Sequence, residues 1–210
     1  MTLQQLIESC QLRSAEVTDA FFTPEAWKQY INLAQNEFAR ETKVIERVAR
    51  TMTIPGERAY PLDPDFYHID VARWGDNPVL QPISVYDMES RHKDTGTPTH
   101  FLVRAGRIFL WPTPNRSEEL VVWYFAVPRP LDALEDEPEI PIAYHDALIP
   151  GACYFALKAD KDYTGANLFK LEWEQKKAQA YSEMQEHEGE PAIVRDEAGY
   201  HRILDPWGVG

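Results

Sequence analysis

Long apolar runs are missing from this chain of 210 residues, and no stretch approaches the roughly 20 apolar residues that span a bilayer. Cysteine is scarce, with Cys10 and Cys153 alone, so no disulfide framework is expected. The opening Met1 to Gln5 lacks the basic and apolar regions of a signal peptide. Together these features predict two small buried thiols in a reducing cytoplasm. Basic residues are also in short supply. Lys and Arg number 21 against 34 Asp and Glu, a net charge of −13. Such a surface excludes affinity built on neutralising DNA phosphates. It leaves open a surface past which DNA moves without sticking.

Catalytic signatures are absent as well. There is no glycine-rich phosphate loop, no GxSxG elbow and no HExxH or CxxC spacing. The six histidines are scattered. Tyr144-His145-Asp146 is read as surface polarity in a first helical turn, and Glu183 with His187 as a solvent-exposed pair at i, i+4. His68 is expected to face solvent from an alternating strand. Trp111, Trp123, Tyr124 and Phe125 lie in apolar runs without basic neighbours, which favours core packing over a base-stacking platform. No catalytic residue, cofactor or metal is assigned, and the chain is expected not to be an enzyme.

What is present is a sequence of helical and β-rich stretches. Thr2 and Gln5 match a capping box ahead of Leu3, Leu6, Ile7 and Cys10 on one face. Thr23-Pro24-Glu25 supplies an N-cap, a proline at the first helical position and an acid at the positive dipole end. The stripe Trp27, Ile31, Ala34, Phe38, Ile45, Val48 then predicts a helix reaching about Arg50. From Thr51 to Val127, repeated prolines forbid long helices, and short runs such as 66–71, 101–104, 107–111 and 120–125 read as strands. Ala105-Gly106 is placed as a tight hairpin turn, and Ser84 to Arg91 as a short helix. Helices return after Glu139, with Pro150-Gly151 expected to kink the first of them. The last carries Phe169, Trp173, Tyr181 and Met184.

The expected class is α+β and mainly α: a helical bundle with an inserted small antiparallel β subdomain and an extended C-terminal arm. Residues 1–50 and 132–188 supply the helices of the bundle, 51–131 the insert and 189–210 the arm.

The order of these pieces resembles one family. Asn32-Leu33-Ala34-Gln35-Asn36-Glu37-Phe38, Gly96-Thr97-Pro98-Thr99-His100-Phe101 and Gly106 to Pro114 with its Trp111-Pro112-Thr113-Pro114 ending follow in turn. Leu120 to Leu131, Ile140-Pro141-Ile142-Ala143-Tyr144-His145-Asp146 and a last helix with Phe169, Glu172, Trp173 and Lys177 complete the series. Over residues 20 to 188 it is similar to the head–tail connector (adaptor) proteins of tailed bacteriophages. The resemblance implies a structural virion protein made in the host bacterial cytoplasm and placed at the head–tail junction. It implies a ring, usually of about twelve copies, below the portal protein and above tail or nozzle proteins. Double-stranded DNA would pass through without sequence-specific binding, and no membrane is involved. Another oligomeric tail or baseplate scaffold, also non-enzymatic, is the competing reading.

Two segments are candidate contact sites. Asp132, Glu135, Asp136, Glu137 and Glu139 form an acidic run, by default a solvated linker, and are candidates for lining the channel, with the helix after Asp146 as the alternative. The arm has no helical period, yet Ile193, Val194, Tyr200, Ile203, Leu204 and Trp207 are too apolar for a solvated terminus. These six are expected to bind the portal or a neighbouring subunit, with packing back on their own bundle as the alternative.

Overall fold

The computed structural model describes residues 1–14, 22–90, 95–189, 193–195 and 201–203. Helix α1 (Leu3–Arg13) begins at its capping box. The Thr2 hydroxyl accepts from the Gln5 N–H, and the Gln5 side chain accepts from the Thr2 N–H at 3.0 Å. Its apolar face, Leu3, Leu6, Ile7 and Cys10, is buried. Helix α2 (Pro24–Thr42) starts where Thr23 accepts the Ala26 N–H at 3.2 Å, and it buries Trp27, Ile31, Ala34 and Phe38.

The end of α2 departs from the expectation. The helix stops at Thr42 rather than near Arg50, because Lys43 turns left-handed at φ 58° and donates its N–H to Ala39 O. The β-branched residues that follow enter strand β1 (Glu46–Met52). Ile45 and Val48 extend the helical stripe in sequence only; Ile45 is buried and Val48 is half exposed.

Strands β2 (Ala59–Pro61), β3 (Phe66–Trp74) and β4 (Gln81–Pro82) precede the short helix α3 (Val85–Ser90). Then come β5 (Thr95–Gly96), β6 (His100–Arg104), β7 (Arg107–Trp111), β8 (Thr113–Pro114) and β9 (Glu119–Ala126). The β6–β7 hairpin turns at Ala105 and Gly106, both with positive φ, as a two-residue turn requires. One sheet has the order β1-β9-β3, antiparallel throughout. Another has the order β2-β7-β6-β4, its β4–β6 pair parallel. Tyr60, Ile108 and Leu110 of the second sheet share one core with Ile69, Ala72, Trp74, Leu120, Val122 and Tyr124 of the first.

Helix α4 (Leu148–Ala159) follows a 3₁₀ stretch, Ile142–Ala147. Pro150 sits in its first turn, where a missing N–H costs no intrahelical bond, so it starts the helix instead of kinking it. Gly151 lets Trp173 approach: an added Cβ would lie 2.7 Å from the Trp173 ring and 3.0 Å from Ala34 Cβ. Helix α5 (Tyr163–Gly189) packs on α4 and α2. Strands β10 (Ile193–Arg195) and β11 (His201–Ile203) pair antiparallel in the arm.

Among the described residues, five α-helices stand beside eleven strands spread over four sheets. The expected mainly helical bundle with a small insert is therefore corrected to a mixed α/β fold. The physical reason is visible at β1, where Glu46 to Arg50, which the helical stripe predicts as helix, pair instead with β9, between about 70 and 80 residues later.

Candidate assembly surfaces

The acidic run is built into the fold more than its composition suggests. Leu3 N–H donates to Asp136 O at 2.8 Å and Gln4 N–H to Leu134 O at 3.0 Å, so this segment caps α1 with its carbonyls. The Asp136 carboxylate accepts the N–H groups of Asp132 and Ala133 at 2.8 and 2.9 Å. Those two bonds hold its pKa below the usual carboxylate range. Asn32 clamps Leu131 from α2, accepting its N–H at 2.7 Å and donating to its carbonyl at 2.9 Å.

Glu139 is the hub of an ion-pair chain. It pairs with Arg129 at 2.6 Å and with Arg47 of β1 at 2.9 Å. Arg47 also contacts Asp65, which with Asp63 accepts the Tyr124 hydroxyl. Partial burial works against the charge on Glu139, but the bonds from Arg129 and the field of Arg47 prevail and lower its pKa. The five acids therefore divide. Asp136 and Glu139 hold the segment's shape, Asp132 meets Lys28 at 3.0 Å while 93% exposed, and Glu135 and Glu137 are exposed with no ion pair among the described residues.

His145 overturns its surface reading. It is buried, accepting from the Met1 amino group at Nδ1 (2.7 Å) and donating from Nε2 to Ile140 O (2.9 Å). Tyr144 donates to Glu183 at 2.7 Å, and the exposed Asp146 pairs with Lys176. The His187 side chain lies outside the described residues. Among the described residues no group of three or more metal-ligating side chains comes together, and no helix is long and apolar enough to cross a membrane. Tyr124 and Phe125 are buried, Trp111 and Trp123 half-buried, and His68 exposed. Cys10 and Cys153 are free and fully buried.

Sequence reasoning missed two features. Lys177 is nearly fully buried between α2 and α5, 2.6 Å from Glu41, 3.1 Å from Glu174 and 4.1 Å above the Trp173 ring. Burial opposes its charge, yet Glu41 and Glu174 raise its pKa. The second is β1, whose Val48 and Met52 are 48% and 60% exposed, with Ile54 just beyond at 58%. The β-branched enrichment Val44, Ile45, Val48, Thr51, Thr53 and Ile54, stopped by Pro55-Gly56, is the available signal. Of the arm residues, Ile193, Val194 and Ile203 lie in the β10–β11 hairpin, with Ile193 opposite Ile203. Tyr200, Leu204 and Trp207 lie outside the described residues.

Residues 1–196 match the family model described as SU10 adaptor protein. The chain belongs to that family. No curated protein matches it. The adaptor is thus a phage structural protein of the virion head–tail junction, a class that works through contact with portal and tail proteins. Membership of a structural family suggests a non-enzymatic role. The match spans both sheets, the acidic run and β10, and residues 197–210 lie beyond it.

Proposed function

We propose that the adaptor forms a ring, of about twelve copies, below the portal and joins the DNA-filled head to the tail while DNA passes through its channel. The observation that carries this reading is the family match over residues 1–196. The charge distribution supports it: a chain of net charge −13 offers a passing duplex repulsion rather than adhesion. In this arrangement the acidic run Asp132 to Glu139 faces the channel. Glu135 and Glu137 present charge to the duplex, while Asp136 and Glu139 keep the segment folded. The arm, through Ile193, Val194, Tyr200, Ile203, Leu204 and Trp207, docks on a neighbouring chain of the junction, with its large apolar side chains as anchors.

Mixing the purified chain with portal rings and imaging the product by electron microscopy tests the reading. The expected result is an added ring of matching rotational symmetry below each portal. Deleting residues 190–210 is expected to lower ring addition at least about tenfold. A full-length chain that never adds to portal rings would remove the ring reading. Unchanged addition by the deletion variant would remove the docking role of the arm.

A further inference from the structure

The two main sheets have four outer edges, and three of them are guarded. β3 carries two register shifts, and its far half is covered by the Arg73–Val79 bridge and by Leu80 N–H donating to Ala72 O. β2 is three residues long and ends in Pro61; β4 is two residues long and contains Pro82. Short strands, prolines and bulges are the usual devices that stop an edge from recruiting another strand.

β1 has none of them. Its seven residues run in unbroken one-to-one register with β9, without proline or bulge. The bonds at its two ends, Ala126 N–H to Ile45 O and Thr53 N–H to Glu118 O, fix which residues face β9. Antiparallel pairing alternates, so Arg47, Ala49 and Thr51 bond to β9. The N–H and C=O groups of Val48, Arg50 and Met52 then point to the open side and have no backbone partner among the described residues. A cleft of about 440 Å³ runs beside this edge, with Tyr60, Pro61 and Leu62 on its other wall.

The arm has the complementary deficit. β10 and β11 are three residues each and form a sheet of their own. A lone two-stranded hairpin is marginal in water and needs a third strand. Ile193, Val194 and Ile203 give it the β-branched composition of a sheet member. Within one copy the hairpin and β1 belong to separate sheets, so both deficits remain.

We propose that in the assembled ring the β10–β11 hairpin of one copy adds to the β1 edge of the next, extending its β1-β9-β3 sheet to five strands. The contact is heterologous, and repeating it closes the ring by rotation. It rests on the ring reading above and names the neighbouring copy as the arm's first docking site.

The full chain assembled on portal rings is the material for the test. Val48→p-benzoylphenylalanine places a photo-crosslinker on the edge, and mixing ¹⁵N-labelled with unlabelled copies separates contacts between copies from contacts within one. Crosslinks from position 48 to residues 193–203 of a differently labelled copy are expected. Crosslinks confined to one copy, to the portal, or absent from 193–203 when micrographs show complete rings would overturn the proposal while leaving the ring intact. Failure to form any ring would sink both. Val48→Pro is the second arm: its lost N–H faces the open side, so the β9 ladder keeps its bonds. It is expected to melt like the unmodified chain yet form rings at least about tenfold less readily. Normal ring yield from a folded Val48→Pro chain would equally overturn the proposal.

Discussion

At Gly151 the missing side chain is a packing requirement, since the Trp173 ring occupies the space a Cβ would need. Trp173 cannot retreat easily: it is fully buried, with Phe155 and Tyr154 at ring-centroid distances of 5.5 and 5.9 Å and Lys177 above it. Gly151→Ala is therefore expected to lower stability by about 1–3 kcal/mol, as overpacking does. Urea unfolding followed by Trp fluorescence would register this as a lower midpoint; an unchanged midpoint would mean that the ring can shift. The sequence hides this requirement, because Pro150-Gly151 reads equally well as a kink. His145 is a similar case. A histidine beside Asp146 in a first turn looks exposed, and only the approach of Met1 and Ile140 makes it a core residue.

Elements whose ends are set by local chemistry were legible in the sequence. Thr2 with Gln5, Thr23 with Pro24, and Ala105-Gly106 each satisfy or bend the backbone within four residues of themselves. The end of α2 was not legible. Lys43 rather than glycine takes the left-handed cap, and Ile45 and Val48 keep the helical period by coincidence. The decision belongs to β9, with which residues 46–52 pair. The acidic run is plain in the sequence as a segment, but its internal uses depend on partners as distant as Leu3 and Arg47. Those uses have a pH signature. The pKa of Glu139 is lowered on folding, so its contribution is present above its ordinary value near 4.5 and is lost as pH falls through the lowered one. Wild type and Glu139→Gln should therefore differ most near neutral pH, by about 1–2 kcal/mol, and converge in acid. Urea midpoints at pH values between about 7 and 3 would show the convergence; a constant gap would place the effect elsewhere than in the charge.

For the whole molecule the governing quantity is the excess of acid, and the exposed part of it is what a duplex would meet. Glu135→Lys combined with Glu137→Lys leaves the capping bonds of Asp136 and the ion pairs of Glu139 in place. The assembled ring carrying both changes is expected to bind duplex DNA at least about tenfold more tightly at low salt, with the gain vanishing as salt rises. Fluorescence anisotropy with a labelled duplex would measure it. No gain in a ring of normal appearance would show that the acidic run faces away from the channel.

The cap that residues 134–136 place on α1 also sets a timetable. Helix α1 offers Leu3, Leu6, Ile7 and Cys10 to a core that includes Leu148, Ala152 and Cys153 of α4. Its first N–H groups wait for carbonyls made 130 or more residues later. At about 5–20 residues per second of synthesis, the newborn N-terminus carries a sticky, uncapped face for on the order of ten seconds before its partners leave the ribosome. The first helix in sequence is thus among the last to be finished, and a chain stalled before α4 would remain a client of chaperones.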